Sequence, residues 1–149
     1  MGRRRALFSA VLLVCGLCVG QAASANPADR LPVEITYISQ REDRLPPLSL
    51  VDRLLEDEGL MGARQALADN QTTGQFLGHD YVLEERVAAA GEDVRATFAA
   101  ALAEGERVFV ADLPEAALLA IAPLADEAGA LVFNARAQDD RLRTDACFA

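Results

Sequence analysis

Four short strand-like runs, each parted from the next by one helical run, constrain this chain more than any other feature. Residues 33–39 (VEITYIS) are rich in β-branched side chains and follow Pro32. Residues 80–87 (DYVLEERV) carry Glu84, Glu85 and Arg86, a charge load that suits only the edge of a sheet. Residues 107–111 (RVFVA) and 130–134 (ALVFN) are nearly unbroken apolar runs, as expected of strands buried on both faces. The intervening segments have helical spacing. The first begins at about Val51 or Asp52, after the break at Pro46 and Pro47, and runs to Asp69, with Asn70 expected to end it. In the second, Asp93 is the expected N-cap, Val94, Phe98, Ala101 and Leu102 share a face, and Gly105 is the stop. The third starts at Pro114, presents Leu118, Ile121, Ala122 and Ala125, is kinked by Pro123 and closes at Gly129.

An order βαβαβαβ implies a parallel sheet with right-handed crossovers and helices on both faces. The charged second strand belongs at an edge, and the apolar third and fourth belong inside. Spatial order 2-1-3-4, the flavodoxin-like form of the open doubly wound α/β sheet, meets those demands with a fifth strand natural at the far edge, which the sequence does not provide. Such sheets take ligands in the crevice outside the carboxyl ends of their strands. The loops there supply Gln40 and Arg41 after the first strand, Asp112 and Pro114 after the third, and Asn134 and Arg136 after the fourth. These six are the candidate ligand-binding residues. His79, the only histidine, falls in an expected surface turn at the amino end of the second strand, away from that crevice.

The N-terminus reads as an export signal. Arg3, Arg4 and Arg5 precede an apolar run from Ala6 to Val19, and Ala23-Ser24-Ala25 offers the small residues a signal peptidase needs. Fourteen residues are too few to span a bilayer. Cleavage after Ala25 is therefore expected, sending a mature domain of residues 26–149 to the periplasm without membrane insertion. The Cys15–Cys18 pair has the C-x-x-C spacing of redox and metal sites but lies inside the leader. Cys147 alone would survive, either as a free thiol or with a partner outside the mature chain.

Composition and spacing exclude several classes of function. Without the three leader arginines the 14 basic residues fall to 11 against 23 acidic ones, a charge of −12 that repels nucleic acid and anionic lipid. Gly59 and Gly62 lie in a glycine-punctuated stretch, but Gly59 comes twenty residues after Ser39, and Glu56-Asp57-Glu58 precedes it. A dinucleotide fingerprint must follow its strand directly, and a P-loop needs a lysine, of which the chain has none. Gly59, Gly62, Ala63 and Ala66 are expected instead to let the helix approach the sheet. No catalytic residue is expected: Ser39 and Ser49, the serines left after cleavage, lie in no nucleophile elbow. No Cys/His cluster can hold a transition metal. Neither metal nor cofactor is expected.

The stretch EGLMGARQALADNQTTGQFLGHDYVL resembles the first helix and following turn of periplasmic solute-binding proteins of ABC importers, of the branched-chain amino acid (type I) family. Gly59 or Gly62, Ala63, Ala66, Asn70, Gly74 and Gly78 carry the likeness, and PEAALLAIAPLADEAGALVFNARAQDD is similar to that family's third helix and fourth strand. More narrowly, ITYISQRED and the segment from Pro46 to Gly78 resemble a subgroup that accompanies PQQ-dependent alcohol dehydrogenase systems. The resemblance spans about residues 33–147 and implies a non-enzymatic solute-binding component with an unknown small-molecule ligand. In its full-length form such a component would partner an ABC permease. Two lobes close on the ligand in that family, so the chain is expected to be a truncated N-terminal lobe. The family's amino-acid binders carry Gly-Pro and a Ser pair after the third strand, where this chain has Ala111-Asp112-Leu113-Pro114-Glu115. Thr73 replaces the first glycine of a turn pair, and Gly78 comes one residue late. An alternative is a periplasmic redox or metal/cofactor accessory protein of a quinoprotein dehydrogenase.

Overall fold

A computed structural model of the chain describes residues 30–43, 51 and 57–144. The expected signal peptide, the paired prolines, residues 52–56 of the first expected helix and Cys147 lie outside the described residues.

The elements alternate as expected: β1 (Leu31–Gln40), α1 (Glu58–Leu77), β2 (His79–Ala88), α2 (Val94–Ala103), β3 (Val108–Asp112), α3 (Glu115–Ala128) and β4 (Leu131–Asn134), followed by a 3-10 turn at Asp140–Arg143. The four strands form one parallel sheet in the order β2-β1-β3-β4, the flavodoxin-like open α/β arrangement. β1 pairs with β2 along its whole length, from Leu31 opposite His79 to Gln40 opposite Ala88. Only its carboxyl half pairs with β3, from Thr36 opposite Phe109 to Ser39 opposite Asp112.

Period two along the strands sorts side chains onto two faces. Ile38, Phe109 and Ala111 turn to one face and meet Val94, Phe98 and Ala101 of α2 and Leu118, Ile121 and Ala125 of α3. This is the core, and its Phe98 and Phe109 rings lie 4.5 Å apart at 49°. Tilted rings at that spacing add about 1 kcal/mol beyond the area they bury. Asp93 caps α2 as expected, accepting the Arg95 N–H at 3.0 Å.

The other face carries α1, which packs on β2. Gly74 meets the Tyr81 ring, Arg64 pairs with Glu85 at 2.6 Å, and Gly59 reaches Tyr37. α1 differs from expectation at both ends. Val51 sits in a turn, Asp57 is the N-cap, and the helix runs past Asn70 to Leu77. The Asn70 amide donates back to the Ala66 carbonyl at 2.8 Å, so it decorates the helix rather than ending it. Gly78 makes the stop, in the left-handed region at φ 78°. Gly62 and Ala66 are exposed, and nothing lies within 4 Å of a Cβ added at Gly62. The packed glycines are Gly59 and Gly74.

Three further expectations are corrected. β4 lies at the far edge, where the order 2-1-3-4 places it, but it is not buried on both faces: its Leu131 and Phe133 are 57% and 54% exposed, and among the described residues α1 packs on β2 instead. Likewise β3 is fully buried on one face only, with Phe109 and Ala111 inside and Val108 and Val110 half-buried. His79 is the half-buried first residue of β2, with its ring edge-on to Tyr81 at 6.0 Å, not part of a turn. At the charged edge Arg86 is partly covered, ion-paired with Glu104 and with Glu106, which is only 8% exposed. Thr36 donates to the same Glu106 carboxylate at 2.7 Å, so the buried charge has two partners.

Candidate ligand-binding crevice

Parallel strands deliver their carboxyl ends to one rim of the sheet, and a crevice of about 970 Å³ opens there. β1 contributes Tyr37, Gln40 and the following Arg41; β3 contributes Asp112; the loop after β4 contributes Arg136; and the first turn of α1 contributes Gly59. Four of the six residues expected from sequence, Gln40, Arg41, Asp112 and Arg136, therefore come together.

The other two do not line it. Pro114 is the N-cap of α3, with φ −64°. Asn134 is spent on its own loop: its Oδ1 accepts the Arg136 and Ala137 N–H groups at 3.1 and 2.8 Å, and its amide donates to the Ala137 carbonyl at 2.7 Å. It borders a different and more apolar groove of about 440 Å³ between α3 and β4, with Leu118, Leu131 and Leu142. Within the crevice Gln40 is partly engaged, since its amide donates to the Glu92 carbonyl at 2.6 Å and ties the end of β1 to the loop after β2. The Arg41 backbone N–H continues that tie to the Ala88 carbonyl at 3.0 Å.

At the centre lies a pair that sequence reasoning did not single out. The Tyr37 hydroxyl donates to Asp112 Oδ2 at 2.5 Å. Tyr37 is 3% exposed, and burial is the main reason its hydroxyl is held far above the ordinary tyrosine range. The Asp112 hydrogen bond and negative charge push in the same direction, while Ser39 and the Arg136 charge pull partly back. A Cβ at Gly59 would overlap Asp112 Oδ2 and lie 2.5 Å from the Tyr37 oxygen. Glycine is what lets the first turn of α1 sit against this pair. The signal was present in sequence: period two turns Tyr37 away from the Ile38 core and toward the helix that carries Gly59.

Arg136 spans the mouth. Its Nη2 pairs with Glu42 at 2.5 Å, and its Nε lies 4.0 Å from Asp112 Oδ1, beyond hydrogen-bonding reach. Among the described residues no group of three or more His, Cys, Asp or Glu is disposed to hold a metal ion, and no helix is long and apolar enough to cross a membrane. The crevice thus offers fixed hydrogen-bond donors and acceptors over a buried tyrosine. In comparisons with protein-family models, curated proteins and solved structures, none matched this chain.

Proposed function

We propose that this chain is an extracytoplasmic solute-binding component of an ABC transport system, linked to PQQ-dependent alcohol oxidation. On this reading it is a non-catalytic receptor, exported after cleavage at Ala25, and the described unit is one wall of a two-lobed clamp. The observation that carries the binding role is the convergence of Gln40, Arg41, Asp112 and Arg136 on one crevice at the carboxyl ends of β1, β3 and β4. Open α/β sheets take ligands at that rim. The transport and alcohol-oxidation setting rests on the sequence resemblance alone.

One wall buries only part of a ligand, so affinity is expected to be modest. The test is a thermal-shift screen of residues 26–149 against alcohols, aldehydes, acids, quinones and lanthanides. A saturable rise in Tm with one class, lost in Ala90→Trp at the crevice mouth, supports the reading. Submicromolar affinity of this chain alone contradicts the half-clamp. A shift that Ala90→Trp leaves unchanged removes the crevice from the account.

A further inference from the structure

The Asp112 carboxylate is held in an unusual way for a crevice residue. One oxygen, Oδ2, accepts from the buried Tyr37 hydroxyl and lies against the first turn of α1 at Gly59. The other oxygen, Oδ1, has no hydrogen bond among the described residues, and its nearest cation, Arg136 Nε, is 4.0 Å away. Asp112 lines the cavity, so Oδ1 is the oxygen left to accept from a ligand, and the Tyr37 bond restrains the side chain.

The surroundings have the same sign. The described lining brings the carboxylates of Glu42, Asp43, Asp57, Glu58 and Asp112 against the guanidinium groups of Arg41, Arg64 and Arg136. Two of those cations are already engaged, Arg64 with Glu85 and Arg136 with Glu42. The field inside the crevice is therefore negative, and it attracts a cation and repels an acid. An uncharged donor meets the same acceptor without that attraction.

We infer that Asp112 is the specificity-determining residue of this crevice and that the crevice takes a small organic cation, a primary amine whose ammonium group donates to Asp112 Oδ1. This rests on the crevice being the solute site and adds the chemical class it reads. Tyr37 and Gly59 are positioning residues: they hold Asp112 and do not themselves meet the ligand. Carboxylic acids are disfavoured by the field of the described lining.

Three probes of one skeleton separate the possibilities: ethanolamine as cation, ethylene glycol as neutral donor and glycolate as anion. Each is titrated into the chain and followed by amide NMR, with affinities of about millimolar order expected for ligands this small. Ethanolamine should bind tightest and glycolate weakest. Asp112→Asn, which keeps the shape and an acceptor for Tyr37, should weaken ethanolamine about tenfold and ethylene glycol much less. Ala90→Trp, which adds bulk at another lining residue, should weaken binding of every probe. If glycolate binds as well as ethanolamine, or Asp112→Asn leaves ethanolamine unchanged while Ala90→Trp weakens it, the amine class is wrong and the crevice stands as the site. If no probe shifts crevice amides, or Ala90→Trp has no effect, the crevice reading fails and this inference with it.

Discussion

Two glycines of α1 separate close packing from mere permissiveness, and their alanine variants should move stability in opposite directions. Gly62 is exposed, with nothing within 4 Å of an added Cβ. Alanine there removes conformational freedom from the unfolded chain and raises helix propensity, a stabilisation of about 1 kcal/mol. Gly74 is buried, and a Cβ there would lie 2.7 Å from Tyr81 Cδ2 and 3.5 Å from the His79 carbonyl oxygen. Carbon atoms in contact need about 3.5 Å or more, so the ring must retreat by roughly 1 Å. Tyr81 is not free to do so cheaply, because its N–H donates to Gln71 Oε1 at 3.2 Å and its ring sits edge-on to His79. Overpacking of this kind costs about 1–3 kcal/mol, which at least cancels the same propensity gain and over most of that range outweighs it. The two variants should therefore differ by about 1–3 kcal/mol. In urea titrations followed by far-UV circular dichroism the midpoints should move apart with unchanged slope, and Tm should rise about 4 °C for Gly62→Ala and fall for Gly74→Ala. Two midpoints moving together by the same amount would refute the assignment of Gly74, and not Gly62, as the contact between α1 and the sheet.

Other consequences follow from the polar pairs. Tyr37→Phe should cost about 1–2 kcal/mol at neutral pH by leaving Asp112 Oδ2 without its donor. In the native chain Tyr37 keeps a proton that an unfolded tyrosine loses above pH 10.0, so stability should fall above that pH by up to about 1.4 kcal/mol per unit. Denaturant titrations from pH 9 upward should show that slope reduced in Tyr37→Phe. Arg86→Met leaves the Glu106 carboxylate buried with Thr36 as its remaining partner, for a loss of about 3 kcal/mol, and adding Glu106→Gln should recover part of it. Arg64 holds Glu85 below the ordinary value of 4.5, chiefly through their hydrogen bond. The pair's contribution is thus complete above that value and is lost as pH falls through the lowered one. A carboxyl NMR titration of Arg64→Gln should return Glu85 toward 4.5; an unmoved midpoint would show that the pair does not form in solution.

Much of the architecture could be read from residue order. Strands with period two and helices with glycine stops at Gly105 and Gly129 announce themselves locally, because each signal lies within one element. The charges of Glu84, Glu85 and Arg86 located β2 at an edge, since no interior strand can hold them. For β4 the same logic failed: LVFN looks like an interior strand, and its exposure depends on which helices reach it. Asn70 misled for a related reason, as its amide can either cap a helix or bond back to the preceding turn.

The candidate site divides along the same line. Topology alone brings the ends of β1, β3 and β4 to one rim, so Gln40, Arg41, Asp112 and Arg136 were recoverable from order and strand direction. The Tyr37–Asp112 bond joins residues 75 apart, and Gly59 meets them from a third element. No local pattern encodes that meeting. Periodicity in the chain reports which face a residue turns to, and so it decides fold class and strand order. Which oxygen of Asp112 is consumed, and which is left without a hydrogen bond among the described residues, follows from elements packed within a few ångströms of one another, and exists only once they are folded together.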